Sequence, residues 1–264
     1  MTVSDGSSLS CDAFLGSRLK LWQPKSGYRA DIDPVLLAAS VDVRQAGTVL
    51  DLGCGAGAVL FCLAARCPGL SLTGVELQAG YADLARRNAE ENGLAARIET
   101  ADLTQLPTAL RQERFDIILA NPPYFRPGAH SPAQDTGRSR ALGEMETPLS
   151  DWIETAAQRL APKGWLYMIQ LAERLPEMLS ACEGRLGSVE VLPLAGRAGR
   201  APDRVILRAR KGGRAAFRLH APCVVAAGSV SAMSRSNSVR LQVETITTSS
   251  TPSRTLNLLI ASVT

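Results

Sequence analysis

Four consecutive residues, Asn121-Pro122-Pro123-Tyr124, are the part of this sequence best suited to chemistry on a planar amine. Proline fixes its own φ, lacks an N–H donor and keeps the preceding residue extended. The segment, called the hook below, therefore predicts a stiff structure in which an amide oxygen can accept a hydrogen bond from a conjugated NH₂ group. The Tyr124 ring can stack on the ring that carries this group. Taken alone, the hook is also compatible with a rigid turn that has a surface aromatic.

The hook follows an apolar run, Phe115 to Ala120, that predicts a buried strand. Ligands of open α/β sheets bind outside the carboxyl ends of the strands. We therefore expect the hook to lie at the ligand-binding edge of a sheet.

A glycine-rich segment, Asp51-Leu52-Gly53-Cys54-Gly55-Ala56-Gly57, lies between the first predicted strand and a predicted helix. Glycine allows positive φ and a close approach of the backbone to a ligand. Dinucleotide-binding proteins prefer the spacing G-x-G-x-x-G, whereas the spacing here is G-x-G-x-G. The Asp51 carboxylate would repel a pyrophosphate but suits a cationic ligand. A Rossmann-like nucleotide-binding protein or a dehydrogenase is the alternative of a different class, and both the spacing and the hook count against it.

Two more carboxylates follow the next two predicted strands. Glu76 ends the second strand, where an acidic residue can accept hydrogen bonds from both hydroxyls of a ribose, and Asp102 follows the third, where a carboxylate can accept from an adenine amine. Either carboxylate could instead cap a helix or lie in a solvated turn. Their order at successive strand ends, ahead of the hook, predicts a cofactor that contains a nucleoside. The predicted cofactor-binding residues are Asp51, Gly53, Cys54, Gly55, Gly57, Glu76, Leu77, Asp102, Leu103 and Asn121.

The hydrophobic periodicity predicts the elements that hold these residues. Strands are predicted over residues 49–53, 70–76, 97–101, 115–120, 165–170, 189–194 and 205–210, and helices over 34–41, 58–67, 80–91, 149–160 and 171–186. Alternating strands and helices imply a parallel sheet, and the last two strands have no helix between them, which implies an antiparallel hairpin. The predicted fold is α/β, a doubly wound, mostly parallel, seven-stranded Rossmann-like sheet with an antiparallel hairpin at its edge.

Three regions are predicted along the chain. Residues 1–44 precede the sheet and should pack as a lid or shoulder, and residues 45–214 form the sheet domain. Residues 215–264 contain one acidic residue, Glu244, and are nearly one third Ser and Thr. Because the predicted sheet is complete by Lys211, we expect this tail to be poorly ordered or to add irregular strands.

The composition limits the partners and the location of the protein. The 264 residues carry a net charge of +4 and are 45% apolar and 20% charged, which is typical of a globular protein and compatible with a nucleic-acid partner. No apolar stretch approaches the roughly 20 residues of a membrane span, and residues 1–10 lack a signal pattern. The six cysteines form no Cys-x-x-Cys pair and only two histidines are present, so no metal site is predicted. We expect a cytoplasmic protein with reduced cysteines.

These motifs resemble those of class I S-adenosylmethionine-dependent methyltransferases that methylate amines. Residues 51–57 correspond to the first motif of that family, Glu76 to the second, Asp102 to the third and the hook to the NPPY motif. Over about residues 15–222 the chain is more closely similar to the bacterial tRNA1(Val) adenine-N6-methyltransferase family. The residues that carry this likeness are Gly27-Tyr28-Arg29, Asp33, Phe125 and a hairpin near residues 190–211 with the basic turn 196–200.

The resemblance implies S-adenosylmethionine as the cofactor and RNA, in particular tRNA, as the partner, in addition to the absence of a metal and of a membrane span that the composition predicts. It implies that Asn121, Pro122 and Tyr124 are catalytic, because the Asn121 side-chain oxygen and the Pro122 carbonyl would accept the amine hydrogens. Tyr124 would stack on an extruded base. The implied substrate-binding residues are Tyr28, Arg29, Phe125 and Arg126, of which the first two could instead fold over the cofactor. Other basic residues that could contact phosphates are Arg18, Lys20, Lys25, Arg138, Arg140, Arg197, Arg200 and Arg204.

Two other methyl-transfer reactions remain open. Glutamine-N5 protein methyltransferases also use an NPPY motif, but they resemble this core with a helical domain fused in front of it. Only residues 1–48 precede the first predicted strand here, which counts against this alternative. A guanine-N2 rRNA methyltransferase is the other alternative. The sequence determines neither the RNA, nor the base position, nor the oligomeric state.

Overall fold

The computed structural model describes residues 8–42, 47–124, 147–197 and 199–225 of the chain. The strands are β1 (Leu9–Phe14), β2 (Leu19–Pro24), β3 (Thr48–Leu52), β4 (Ser71–Glu76), β5 (Ala96–Thr100), β6 (Phe115–Ala120), β7 (Leu160–Leu171), β8 (Gly187–Ala195), β9 (Arg204–Arg210), β10 (Arg218–Leu219) and β11 (Cys223–Val224). The helices are α1 (Asp33–Ser40), α2 (Ala58–Arg66), α3 (Ala79–Glu91), α4 (Thr108–Gln112), α5 (Leu149–Arg159) and α6 (Leu175–Cys182). Short 3-10 helices cover Leu103–Gln105 and Ala172–Arg174.

The large sheet has the predicted doubly wound arrangement. Its strands lie in the order β10-β8-β9-β7-β6-β3-β4-β5. The five strands from β7 to β5 in this order are parallel, and β9 is antiparallel to both β7 and β8. The mostly parallel core and its antiparallel hairpin edge are therefore confirmed. The chain runs outwards from β3 to β5 and then returns to β6 on the other side of β3, which creates a switch point in the strand order.

Both faces of the sheet are buried, as its apolar strands require. On β6, Ile117 and Leu119 belong to the core that includes α1, α2 and α3, whereas Ile118 and Ala120 belong to the core that includes α5 and α6. Successive side chains of a strand point to opposite faces, so one apolar run supplies both layers of core. The end of β6, where the hook begins, is thereby fixed between two helical layers.

The N-terminal hairpin of β1 and β2 has no clear signal in the sequence. Its turn places Leu15, Gly16 and Ser17 at positive φ, a conformation that non-glycine residues rarely adopt. Strand β2 lies against α3, where the fully buried Asn88 accepts a hydrogen bond from the Trp22 N–H at 2.7 Å and donates one to the Trp22 carbonyl at 3.1 Å. Asn88 thus satisfies the backbone of β2 as a neighbouring strand would.

Most elements lie within two residues of their predicted bounds, and the larger differences are at β7, at the helix predicted over residues 171–186 and at the end of the described chain. Strand β7 is longer than predicted because it begins at Leu160, which pairs with Phe115 of β6, and because its antiparallel pairing with β9 continues to Leu171. The helix predicted over residues 171–186 is a 3-10 turn followed by α6, which has Pro176 in its first turn and ends before Gly184, a residue with φ of 70°. Both β10 and β11 pair with β8, so residues 218–224 add irregular strands to the sheet, and residues 226–264 lie outside the described part of the chain.

Within the described ranges, none of the helices has both the length and the apolar character needed to cross a membrane. The same ranges hold no cluster of three or more His, Cys, Asp and Glu side chains that could bind a metal ion. All six cysteines are free thiols, and four of them are buried.

Candidate active site

The carboxyl ends of β3, β4, β5 and β6 meet at one edge of the sheet. The register pairs Leu52 of β3 with Val75 of β4 on one side and with Ala120 of β6 on the other. The glycine-rich segment, Glu76 and Asn121 therefore begin at the same level of the sheet. The structure brings the predicted cofactor-binding residues and the hook together at the switch point, where open α/β sheets bind ligands.

The glycines of the turn after β3 are required by local space. Gly53, Gly55 and Gly57 have φ values of 62°, 55° and 87°. A Cβ atom at Gly53 would lie 2.4 Å from the Trp152 ring, and one at Gly57 would lie 2.1 Å from the Phe61 ring. Both the backbone conformation and the neighbouring rings therefore exclude larger side chains here.

The backbone donors of this turn are used inside the protein. The N–H of Cys54 donates to the Val75 carbonyl at 2.9 Å, and the N–H of Gly55 donates to Glu76 Oε2 at 2.9 Å. At these two positions the turn can therefore leave space for a ligand, but its N–H groups are not free to donate to one. The Cys54 thiol is buried, and its burial, reinforced by Asp51 and Glu76, raises its pKa well above the ordinary value, so it stays protonated.

Asp51 is a buried carboxylate aimed at the start of α2. It is 1% exposed and accepts a hydrogen bond from the backbone of Leu60, while its Oδ2 atom is buried with no partner among the described residues. Burial and then repulsion from Glu76 raise the pKa of Asp51 well above its ordinary value of 3.8. The positive end of a helix dipole, which often holds a ligand anion, is here taken by the protein's own carboxylate. Such a site favours a cation.

Glu76 links the turn after β3 to the turn after β4. Its Oε2 accepts from the Gly55 N–H and its Oε1 accepts from the Gln78 N–H at 2.8 Å. Burial raises the pKa of Glu76, although these backbone hydrogen bonds oppose the shift. Each carboxylate oxygen has a second lone pair, so Glu76 can still accept from a ligand. The neighbouring Leu77 is 41% exposed at this edge.

Asp102 caps a 3-10 helix, which is the structural alternative considered for this residue. The N–H and the hydroxyl of Thr104 both donate to Asp102 Oδ1, each at 2.8 Å. Because both bonds use Oδ1, the cap leaves Oδ2 available to another donor. Leu103 is buried in the core beneath α5. Capping and ligand binding are therefore compatible at Asp102.

A buried glutamine that the sequence did not single out holds the hook. Gln170, near the end of β7, is fully buried and donates from Nε2 to the carbonyls of Pro122 at 3.4 Å and Pro123 at 3.3 Å. Its Oε1 accepts from the Leu171 N–H at 2.8 Å. The only sequence signal is a polar residue at the end of an otherwise apolar strand. These bonds are long, but they tie both proline carbonyls to the sheet.

An ion pair between distant segments holds the aromatic ring of the hook. The Tyr124 hydroxyl donates to Asp33 Oδ2, and Arg204 Nε of β9 donates to the same oxygen at 3.0 Å. Burial and the nearby Asp33 carboxylate raise the pKa of Tyr124. Arg204 was expected as a possible phosphate contact, but its guanidinium is engaged with Asp33 and with Asp203.

Tyr28 and Arg29, the two residues after β2 that were predicted to bind the substrate, lie in different parts of the structure. The Tyr28 hydroxyl lies 3.3 Å from Asn121 Nδ2, inside the site. The Arg29 guanidinium instead binds the N-terminal hairpin, because it donates to Asp12 Oδ2 at 2.6 Å and to the Pro24 carbonyl at 3.0 Å. Phe125 and Arg126, also predicted to bind the substrate, lie outside the described residues.

Comparison with known proteins identifies the family. Residues 26–194 match the family model described as the methyltransferase small domain, which spans more than half of the chain. A tRNA1(Val) (adenine(37)-N6)-methyltransferase of Porphyromonas gingivalis is 32% identical over 204 residues, which cover 74% of this chain and 79% of that protein. The protein of the same name from Cronobacter sakazakii is 34% identical over 190 residues, covering 69% of this chain and 75% of that protein.

Solved structures show the same fold. The crystal structure of a predicted O-methyltransferase from Agrobacterium tumefaciens has a TM-score of 0.61 at 30% identity, covering 75% of this chain and 90% of that chain. The 16S rRNA N2 G1207 methyltransferase of T. thermophilus, solved with AdoMet and guanosine, has a TM-score of 0.55 at 24% identity, covering 77% of this chain and 50% of that chain. The second likeness concerns the fold alone.

The donor set fits the cofactor of this family. S-adenosylmethionine carries a sulfonium and an ammonium group, and the buried Oδ2 of Asp51, which has no partner in the described part of the chain, suits a cation or a strong donor. The chain therefore belongs to the methyltransferase small domain family and is an S-adenosylmethionine-dependent methyltransferase.

Proposed function

We propose that the protein methylates the exocyclic N6 amine of an adenine in tRNA. The observation that carries this proposal is the hook, which presents Asn121 at the switch point beside a site built for a cation. The relatives named above are adenine-N6-methyltransferases of tRNA1(Val) and are about one third identical to this chain. A tRNA substrate would place the protein in the cytoplasm.

The three carboxylates at the strand ends and the surrounding turn residues would hold the cofactor. Asp51 would face its cationic end, Glu76 would accept from the ribose hydroxyls, and Asp102 Oδ2 would accept from the adenine amine. Leu77 would provide an exposed apolar surface beside the nucleoside. Gly53, Cys54, Gly55 and Gly57 would leave space for the cofactor, and Leu103 would support the adenine end from the core.

The hook prepares the adenine amine for reaction. The lone pair of this amine is delocalised into the ring, so the amine is a weak nucleophile. When bound, S-adenosylmethionine would supply the electrophilic methyl group and leave as a neutral thioether, and the methylated amine would release one proton to water. Asn121 Oδ1 and the Pro122 carbonyl each accept one amine hydrogen, which directs the lone pair towards the methyl group. Alignment of the two reactants then supplies much of the rate.

Gln170 and the Asp33–Arg204 pair keep the hook in place. Gln170 donates to one side of the Pro122 carbonyl, and the second lone pair of this oxygen remains for the amine hydrogen. The Tyr124 ring, held through its hydroxyl by Asp33, would stack on the extruded base.

The decisive experiment is mass spectrometry of nucleosides from tRNA of a strain with the gene and a strain without it. We expect N6-methyladenosine to fall in tRNA without the gene and to return when the wild-type gene is restored. Restoration of Asn121→Ala should leave the modification absent, which ties the result to the hook.

Two outcomes would contradict the proposal. An unchanged N6-methyladenosine content with a loss of N2-methylguanosine in rRNA would favour a guanine-N2 reaction. Unchanged RNA with loss of N5-methylglutamine from a protein would favour the glutamine-N5 reaction.

A purified enzyme that transfers a labelled methyl group to tRNA from the deletion strain, and not to fully modified tRNA, would support the proposal directly.

A further inference from the structure

We propose that Tyr28 is a positioning residue that satisfies the amino end of the Asn121 side chain during methyl transfer, so that the oxygen end can bind the substrate amine. The inference rests on the proposed function, because it concerns how Asn121 acts on an amine.

The two ends of the Asn121 side chain have opposite hydrogen-bonding characters. Oδ1 only accepts and Nδ2 only donates. A substrate amine that donates hydrogen bonds to the enzyme can bind Oδ1, whereas the hydrogens of Nδ2 would face the hydrogens of the amine. In the productive orientation, Nδ2 therefore needs an acceptor of its own, because an unpaired donor in a closed site costs free energy.

The structure provides this acceptor from a segment far away in the sequence. Asn121 Nδ2 donates to the Tyr28 hydroxyl at 3.3 Å. The Tyr28 carbonyl in turn accepts from the Tyr81 hydroxyl of α3 at 3.0 Å, which holds this segment against the sheet domain. The Tyr28 ring also lies beside the glycine-rich turn, 4.0 Å from the position of a Cβ atom on Gly55. Tyr28 therefore spans the cleft between the cofactor turn and the hook.

The two prolines of the hook leave Oδ1 without a donor from the next backbone positions. Pro122 and Pro123 follow Asn121 and lack N–H groups, so the next two backbone positions offer no donor to Oδ1. Oδ1 is thereby left for the substrate, while Nδ2 is bound by Tyr28. A lid or stacking role for Tyr28 would use its ring, whereas this role uses its hydroxyl.

The test compares Tyr28→Phe with Tyr167→Phe. Tyr28 is 56% exposed, so loss of its hydroxyl should leave the fold intact, and Tyr167 is a control tyrosine whose hydroxyl accepts from the Asp42 N–H at 3.4 Å, away from the hook. Methyl transfer from labelled S-adenosylmethionine is measured with total RNA from a strain that lacks the gene. We expect Tyr28→Phe to lower kcat by about 3- to 10-fold, the effect of one lost hydrogen bond, with KM for both reactants within about two-fold of wild type. Tyr167→Phe should keep the wild-type kcat.

The kinetic result can contradict the proposal in two ways. An unchanged kcat would show that the hydroxyl has no role in the reaction. A rise in KM with kcat kept would show that Tyr28 binds the substrate or the cofactor directly, rather than through Asn121.

A second measurement needs no substrate. The side-chain amide resonances of Asn121, assigned by their absence in Asn121→Asp, should shift in Tyr28→Phe and not in Tyr167→Phe. An unshifted pair of resonances would overturn the contact itself. If wild-type enzyme transfers no methyl group to RNA, the proposed function fails, while the NMR comparison still decides whether Tyr28 holds Asn121.

Discussion

The substitution Asp51→Asn should weaken cofactor binding and, at the same time, stabilise the cofactor-free protein. Asparagine has the shape of aspartate and keeps an oxygen for the Leu60 N–H, but it removes the buried negative charge. Wild-type Asp51 is 1% exposed, its Oδ2 has no partner among the described residues, and Glu76 lies close enough to repel it. An ionised Asp51 therefore destabilises the folded protein when no cation is bound, and binding of a cation removes this destabilisation.

The magnitude follows from the loss of one charged hydrogen-bond partner, which is worth about 1.5–3 kcal/mol. This free energy corresponds to a Kd for S-adenosylmethionine that is about 10- to 150-fold higher in the variant. At a pH above the raised pKa of Asp51, the melting temperature of the cofactor-free variant should be higher than that of the wild type, since the variant no longer buries a repelled carboxylate.

Titration calorimetry and thermal unfolding check both parts. Asp116→Asn is the matched control, because Asp116 lies at the opposite end of β6 and binds Thr48 instead of the site. It should keep the wild-type affinity. An Asp51→Asn variant that binds as tightly as wild type, or that melts lower without cofactor, would refute this account of Asp51.

The remaining predictions concern pH and the supports of the hook. The pKa of Asp51 in the folded state is raised above the ordinary value of 3.8. The stabilising contribution of Asp51 is therefore complete below pH 3.8 and is lost as the pH rises through the raised pKa. The stability gain of Asp51→Asn should consequently grow with pH. For the same reason, wild-type affinity for S-adenosylmethionine should fall as the pH is lowered through the raised pKa, and calorimetry should show a smaller dependence in Asp51→Asn. Asn121→Ala should lower kcat by about 100- to 1,000-fold with cofactor affinity kept, as measured by single-turnover kinetics and calorimetry, and a near-native kcat would contradict the mechanism. Gln170→Met should lower the free energy of unfolding in urea by about 1–3 kcal/mol, since the carbonyls of the buried Pro122 and of Pro123 lose this donor, and an unchanged midpoint would show that these long bonds contribute nothing. Asp33→Asn should cost about 2 kcal/mol in the same assay, because Arg204 loses its buried charged partner and keeps only the exposed Asp203; equal stability would show that the pair with Asp33 is screened.

The sequence alone determined the features that depend on local chemistry. The apolar run before Asn121 required a buried strand, and the two prolines required a stiff extension beyond it, whatever the rest of the chain does. The glycines after Asp51 predicted a tight turn, and the structure shows the positive φ values and the nearby rings that require them. Since strands joined by helices must run parallel, the order of these motifs also predicted that their carboxyl ends share one edge.

Only the tertiary structure decided which side chains support these motifs. Asp33 and Arg204 are 171 positions apart, and Tyr28 and Asn121 are 93 apart, so neither pair has a local signature in the sequence. Arg204 looked like a surface cation and instead binds Asp33. Gln170 looked like the polar end of a strand and instead holds two proline carbonyls. Hydrogen bonds between distant segments depend on how helices and strands pack, and that packing is set by the whole core rather than by neighbouring residues.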